Sequence, residues 1–198
     1  MNTERDQISE DILKSIVFGL TGKNASGKGT VAEILKKKNF TYHSLSDSLR
    51  DELKTLKKEE TRDNLIDIGN KLREKGGPGV LADKLIPKLN SENNHIVDSI
   101  RNPLEVISLR KETLLRRFFL ISVDADSRLR YDRLCSRGRT GDTDSWEKFV
   151  EQEKKEENND DPNKQQLSRT MEMADYNIDN SGTLDDLEVQ VNKIISSL

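Results

Sequence analysis

The chain has little cysteine and proline, and it has no long apolar run. It contains one cysteine and four prolines in 198 residues. Because Cys135 has no partner for a disulfide within the chain, a reducing compartment is expected. A membrane span needs about 20 consecutive apolar residues, and the polar N-terminus lacks the basic start and apolar stretch of a signal peptide. We therefore predict a cytoplasmic protein with no membrane partner.

No excess charge of one sign is present either. Charged residues make up 35% of the chain, but both signs are interspersed and the net charge is −3. Because a nucleic-acid-binding surface requires clustered positive charge, we predict no nucleic-acid partner. The length corresponds to a single domain. We assign residues 15–198 to that domain and residues 1–14 to a polar N-terminal extension.

What the chain does contain is the segment GKNASGKGT at residues 22–30, directly after the apolar run 16–20. This spacing is typical of a phosphate-binding loop, in which backbone N–H groups at a helix N-terminus converge on an anion. Lys28 supplies a charge that reaches the β- and γ-phosphates of a nucleotide. The motif predicts that ATP binds to Lys28 and to the other loop residues Gly22, Asn24, Ala25, Ser26, Gly27, Gly29 and Thr30.

Apolar runs alternate with helical segments along the chain. Residues 16–20, 40–45, 95–100, 118–123 and 176–179 read as strands. Five further segments read as helices: residues 47–60, residues 61–75, a segment that ends near residue 89, residues 104–112 and residues 127–137. Pro103 suits a first helical position, Asp126 suits an N-cap, and residues 144–147 and 183–186 resemble capping boxes. This alternation predicts an α/β fold with a five-stranded parallel sheet.

Residues 138–172 differ from the rest because they are long, charged and poor in apolar side chains. Long excursions from compact domains are often lids, and we predict a mobile helical lid over the phosphate-binding loop. The alternative is a solvated helix and loop. Trp146 is interpreted as a hydrophobic anchor of this segment.

Asp98 is the leading candidate for a metal ligand. It lies at the end of the strand predicted at residues 95–100, and ligands of open α/β sheets bind outside the carboxyl ends of strands. Mg²⁺ commonly uses one or two carboxylates together with phosphate oxygens and water. Gly29 stands where the motif usually places Ser or Thr, so the nearest hydroxyl, a second candidate for the metal site, is that of Thr30. The alternative for Asp98 is a strand-end residue that caps the next segment.

Six sequence blocks resemble the nucleoside-monophosphate-kinase branch of the P-loop kinases, which includes adenylate-kinase-like proteins. The chain is particularly similar to an archaeal group of small dephospho-CoA-kinase-like and nucleotide-kinase-like proteins. The blocks lie at residues 27–30, 46–50, 72–79, 97–102, 133–139 and 174–182. The resemblance spans residues 15–198. It implies a three-layer P-loop NTPase fold with a helical lid, and it implies ATP and Mg²⁺ as cofactors.

The resemblance also implies roles for four arginines and an asparagine. Arg50 and Arg101 match arginines that hold the acceptor phosphate in similar kinases, as suits bidentate guanidinium groups. Arg133 and Arg137 lie where similar kinases enter the lid, and Arg137 is expected to stabilise charge on the transferred phosphoryl group. Asn180 begins a loop that borders the nucleotide base in similar kinases. The alternatives are solvated arginines and a plain turn.

Three interpretations of Asp47 remain open. With a hydroxyl acceptor it is a general base that takes the hydroxyl proton. With a monophosphate acceptor it lies in the substrate site and no such base is needed, because phosphoryl transfer depends mostly on positioning and charge. In the third interpretation, Ser46 or Asp47 is the N-cap of the following helix.

Together these features predict an ATP-dependent phosphotransferase that acts on a small phosphorylated metabolite, a nucleoside or deoxynucleoside monophosphate. Two alternatives remain open. One is transfer to a hydroxyl acceptor, as in dephospho-CoA-like kinases, and the other is a nucleotide-binding regulatory module with little or no kinase activity. The expected partner is the small-molecule phosphate acceptor, and the expected assembly is a monomer or a homodimer.

Overall fold

The structure is a computed structural model that describes residues 15–90, 92–112, 117–138, 142, 145–157 and 159–198. The predicted extension, residues 1–14, lies outside the described residues, and so does Asp144 of one predicted capping box. No helix in the described part of the chain is long and apolar enough to cross a membrane.

Five parallel strands form one sheet. They are β1 (Ile16–Thr21), β2 (Phe40–Ser44), β3 (Asn94–Ile100), β4 (Arg117–Asp124) and β5 (Tyr176–Asp179). Their order is β2-β3-β1-β4-β5, and every neighbouring pair is parallel. The predicted sheet is confirmed, with each strand within one residue of its predicted ends. β1 lies at the centre, so the loop that follows it opens between the ends of β3 and β4.

Helices cover both faces of the sheet and make a three-layer fold. Adjacent residues of β1, Val17 and Phe18, belong to different apolar clusters, because successive strand side chains point to opposite faces. The helices are α1 (Lys28–Lys36), α2 (Leu45–Thr55), α3 (Arg62–Gly76), α4 (Val80–Leu85), α5 (Pro103–Glu112), α6 (Ser127–Arg137), α7 (Trp146–Glu157), α8 (Leu167–Glu172) and α9 (Leu184–Ser196), with a 3₁₀ turn at Ile86–Lys88. The cluster around Val17 includes side chains from α2, α3, α4 and α5, and the cluster around Phe18 includes side chains from α1 and α9.

Most predicted helix starts are confirmed by their caps. The Asp126 carboxylate accepts the first backbone N–H groups of α6, and Thr183 and Asp186 form a reciprocal capping box at α9. Pro103 is the first residue of α5, where the absence of its N–H costs no helical hydrogen bond.

The prediction for α2 was wrong at both ends. Ser44 ends β2 and is itself the N-cap, because its side chain accepts a hydrogen bond from the Ser46 N–H at 3.2 Å. Ser46 and Asp47 therefore lie inside the first turn, and neither is the cap. The helix ends at Thr55 rather than near residue 60.

The charged segment after α6 includes a packed helix. Phe149 of α7 is only 2% exposed and packs against Tyr131 and Trp146, which confirms an apolar anchor in this segment. The loop after α7 is also held to the sheet, because the Asn102 amide donates to two of its backbone carbonyls at 2.8 and 2.9 Å. The mobility of this lid remains a prediction.

Candidate nucleotide and acceptor site

The loop between β1 and α1 requires glycine at two positions. Gly22 and Gly27 have φ angles of 138° and 100°, which other residues rarely adopt. A Cβ on Gly22 would lie 2.0 Å from the Val123 carbonyl oxygen, and one on Gly27 would lie 2.0 Å from the Asn180 amide nitrogen. The neighbouring strand β4 and the loop after β5 therefore fix the curl of this segment.

The Lys28 side chain folds across the concave side of the loop. Its ammonium donates to the carbonyl oxygens of Gly22 and Lys23 at 2.6 and 2.7 Å. Burial of the ammonium, and then the charge of Arg101, lower the pKa of Lys28 to about 7. An anion in the loop would oppose both effects and favour the charged amine.

The residues of the loop fit a polyphosphate. The first backbone N–H groups of any α-helix lack partners within the helix. At α1 no side chain caps them and no acidic residue lies in the first turn. The buried Ser26 hydroxyl also has no hydrogen-bond partner among the described residues. Gly29 and Thr30 of the first turn are exposed, so this end of the helix is open to an anionic ligand.

A cavity of about 840 Å³ opens beside the loop. Its walls combine the phosphate-binding loop with polar side chains from α2, α3, α6 and the ends of β2 and β3, and it brings together all the predicted site residues except Gly22, Asp47 and Asn180. Outside the loop, its polar lining consists of Tyr42, Ser44, Ser46, Arg50, Glu60, Arg62, Asp98, Ser99, Arg101, Arg133, Arg137 and Asp142.

Asp98 lies at the cavity wall and is only 8% exposed. Its carboxylate accepts hydrogen bonds from the Tyr42 hydroxyl at 2.9 Å and from the Ser99 N–H at 2.6 Å. Burial, and then the negative charge of Asp98, raise the pKa of Tyr42. Within the described part of the chain, no cluster of three or more His, Cys, Asp or Glu residues could hold a metal by itself. One carboxylate with the Thr30 hydroxyl still fits Mg²⁺, which relies on phosphate and water for its other ligands.

Arg101 shares a carboxylate with Arg62. Glu156 of α7 accepts from Arg101 Nη1 at 2.7 Å and from Arg62 Nε and Nη2 at 2.8 and 2.6 Å. Burial, and then the nearby charge of Arg62, lower the pKa of Arg101 to about 10. Burial alone would raise the pKa of Glu156, but the charges of Arg62 and Arg101 outweigh it and lower that pKa.

Arg62 and Glu156 were not found from the sequence. Arg62 follows the helix cap Thr61 without any recognisable motif, and Glu156 belongs to a run of charged residues that resembles a solvated helix face. No local signal distinguishes either residue from its neighbours.

A second buried acid holds the backbone at Arg101. One oxygen of Glu105 accepts the N–H groups of Arg101 and Asn102 at 2.8 and 3.1 Å, and the other accepts two N–H groups of Arg73 at 3.1 and 2.8 Å. The side chains of Arg73 and Glu105 are 2% and 0% exposed. This pair therefore fixes the turn that directs Arg101 to the cavity.

Arg50 and Asp47 lie together at the edge of the site. Arg50 donates to Asp47 at 3.0 Å and to Glu60 at 2.7 Å. Arg50 lines the large cavity, whereas Asp47 lines a separate one of about 100 Å³ beside His43. The structure thus does not bring Asp47 to the wall that holds Lys28.

Three more predicted site residues lie beside the loop. Arg137 and Asn180 contact it directly, and Arg133 contacts it through Asn180. Arg137 donates to the Asn24 side chain at 3.1 Å and to Asp142 at 2.7 Å. Arg133 donates to the Asn180 carbonyl at 2.9 Å, and the Asn180 amide donates to the Ser26 carbonyl at 2.9 Å. In this structure Asn180 braces the loop, and its contact with a nucleotide base remains a prediction.

A phosphate-binding loop at the end of the central strand, in a parallel sheet covered on both faces, defines a P-loop kinase-like protein. The chain belongs to the AAA_18 family of AAA domains, which matches residues 19–159, and to the UPF0200 proteins. A UPF0200 protein of Pyrococcus furiosus is 32% identical over 187 residues, which cover 92% of this chain and 97% of that relative.

Solved structures with the same fold include small-molecule kinases. A gluconokinase from Sinorhizobium meliloti has a TM-score of 0.56 at 16% identity, and the match covers 92% of this chain and 91% of that one. A shikimate kinase from Aquifex aeolicus has a TM-score of 0.51 at 12% identity, with coverage of 91% and 94%. At these identities the likeness shows the fold alone. The predicted P-loop kinase-like class is confirmed, and the nucleoside-monophosphate-kinase branch stays a prediction.

Proposed function

We propose that the protein transfers the γ-phosphoryl group of ATP to a small phosphorylated acceptor, a nucleoside or deoxynucleoside monophosphate. One observation carries this proposal. The same cavity holds the Lys28 loop, suited to a triphosphate, and a separate group of arginines, Arg50 and Arg101, suited to a second phosphate. A donor and an acceptor would thus lie side by side, which is the main requirement for phosphoryl transfer.

Each residue has a role in this scheme. Lys28 and the loop N–H groups hold the donor phosphates, and Arg101 fixes the acceptor phosphate. Arg137, which already contacts Asn24 of the loop, stabilises charge on the transferred group. Asp98 and Thr30 would hold Mg²⁺. When bound, that ion neutralises charge on the β- and γ-phosphate oxygens.

Transfer to a hydroxyl acceptor is the second candidate. The structural neighbours named gluconokinase and shikimate kinase favour an acceptor other than a nucleotide. A hydroxyl acceptor needs a base in reach of its proton. Because Asp98 lines the large cavity and Asp47 lines a separate one, we propose Asp98 rather than Asp47 for that role.

Measurement of ADP production against a panel of acceptors tests the proposal. The protein is mixed with ATP and Mg²⁺ and with nucleoside monophosphates, dephospho-CoA, gluconate or shikimate. ADP that forms only with a monophosphate supports the proposal, and ADP that forms only with a hydroxyl acceptor supports the second candidate. ADP production that ignores every acceptor contradicts both and favours a nucleotide-binding module.

A further inference from the structure

We propose that Glu156 is a positioning residue that holds Arg62 and Arg101 together as one binding site for the phosphate group of the acceptor. Arg62 is then a phosphate-binding arginine in addition to Arg50 and Arg101, and α7 is the element that completes the site. The inference rests on the proposed function in one respect, namely that the acceptor carries a phosphate group.

Three distant parts of the chain meet at this carboxylate. Arg62 opens α3, Arg101 follows β3, and Glu156 lies near the end of α7, 94 and 55 residues from the two arginines. Among the described residues, Glu156 is the only side chain that accepts a hydrogen bond from either guanidinium. Glu156 is 3% exposed, so water does not compete well for these bonds.

The carboxylate offsets a repulsion that would otherwise separate the arginines. Two guanidinium groups held close together and partly buried destabilise each other, and the nearby ammonium of Lys28 adds a third positive charge. A buried charge that loses its partner is costly. With Glu156 present, both arginines can stand at one wall of the cavity before any ligand binds.

The arrangement leaves donors for a ligand. A guanidinium has five N–H groups, and Glu156 uses Nε and Nη2 of Arg62 and Nη1 of Arg101. Both arginines line the large cavity, whereas Glu156 does not and instead lines a separate small cavity between α7 and the loop residues Lys23 and Asn24. Five arginines line the large cavity against the three carboxylates of Glu60, Asp98 and Asp142, so the wall stays positive even without the charge of Lys28.

The same end of α7 also contacts the donor loop. Glu157 pairs with Lys23 at 2.8 Å, one residue after the carboxylate that holds the arginines. The position of α7 therefore affects the arginines of the proposed acceptor site and the phosphate-binding loop together. Exposed pairs on this helix, such as Glu151 with Lys155, have no such contacts and supply a matched control.

Calorimetric titration of inorganic phosphate into the full chain, with the loop filled by ADP and Mg²⁺, tests the inference. We expect Glu156→Gln to weaken phosphate binding about 10-fold, and Arg62→Gln at least as much. The affinity for ADP should stay within about two-fold of the unmodified protein. Glu151→Gln should change neither value. In an Arg62→Gln, Arg101→Gln background, Glu156→Gln should have no further effect, because it acts only through these arginines.

Equal or tighter phosphate binding in Glu156→Gln would overturn the inference, since the carboxylate would then compete with the anion. If Glu156→Gln does not fold, Glu156→Asp takes its place, because the shorter side chain keeps the charge but cannot reach both arginines. Unchanged phosphate binding in Glu156→Asp would also overturn the inference. Failure of ADP to bind would count against the proposed function alone. Phosphate titrations without ADP would still compare Arg62→Gln and Glu156→Gln with the unmodified protein.

Discussion

Two sides of the phosphate-binding loop are held by different forces. On the sheet side, Gly22 packs against the backbone of Val123, and the Asn180 amide binds the Ser26 carbonyl. On the α7 side, Glu157 forms an ion pair with Lys23 of the loop, and Glu156 forms ion pairs with Arg62 and Arg101 beside it. Backbone packing is insensitive to nearby charge, whereas a buried ion pair depends strongly on it.

In the proposed scheme, this difference separates the two substrates. The proposed donor site is held by the sheet and includes Lys28. The proposed acceptor site is assembled from α3, the end of β3 and α7, and it depends on the ion pairs that Glu156 makes. Changes on the sheet side should therefore affect the donor, and changes on the α7 side should affect the acceptor.

The largest effect is expected on the donor side. Lys28→Ala removes the ammonium that spans the loop, and turnover should fall about 10³-fold. ADP production with the preferred acceptor measures this loss. Lys36→Ala, which removes an exposed lysine from the same helix, is the control and should keep normal turnover. Substantial turnover in Lys28→Ala would contradict the assignment of this loop.

The buried pair behind Arg101 should show the next largest effect. Glu105→Gln removes the charge opposite the buried Arg73 and leaves one acceptor oxygen for the four N–H groups that the carboxylate now accepts, so the free energy of unfolding should fall by about 3–5 kcal/mol. Chemical denaturation measures this change. Asp132→Asn, which breaks an exposed pair with Arg128, should cause no measurable change.

Arg101→Ala should separate the two substrates. The KM for the acceptor should rise about 50-fold, because a charge-assisted contact to phosphate is lost. The KM for ATP should change little. Arg110→Ala removes a more exposed arginine and should leave both constants unchanged. Equal increases in both KM values after Arg101→Ala would refute the division between the donor and acceptor sides.

The smallest expected effect concerns pH and the donor. Because the pKa of Lys28 is lowered to about 7, the free protein loses this charge as the pH rises through 7, and an anionic ligand restores it. ATP affinity should therefore be about five-fold weaker at pH 8 than at pH 7, and binding at pH 8 should take up a proton. Calorimetry in buffers of different ionisation enthalpy measures the uptake. Lys28→Arg should remove it, and uptake that persists would point to another group.

Features with local causes could be predicted from the sequence. The loop at residues 22–30, the five strands and the caps at Asp126 and Thr183 each depend on residues a few positions apart. The start of α2 was misplaced because Ser44 is at once the last strand residue and the cap. That double role has no separate sequence signal.

Contacts that depend on residues far apart in the sequence could not be predicted. Glu105 looks like any first-turn acid of a helix, yet it holds Arg101 and Arg73. Asp47 is three residues from the end of β2 in sequence but faces a different cavity from Asp98. Proximity in space between residues more than 30 positions apart, such as Arg73 and Glu105, depends on how the helices pack.

The sequence by itself determined the phosphate-binding loop and the parallel sheet, because backbone conformation and strand burial follow from neighbouring residues and their spacing. Only the tertiary structure decided which charged residues line the cavity that we propose as the acceptor site. A third of this chain is charged, and whether an arginine or a glutamate serves the site depends on which opposite charge the fold brings within hydrogen-bond distance.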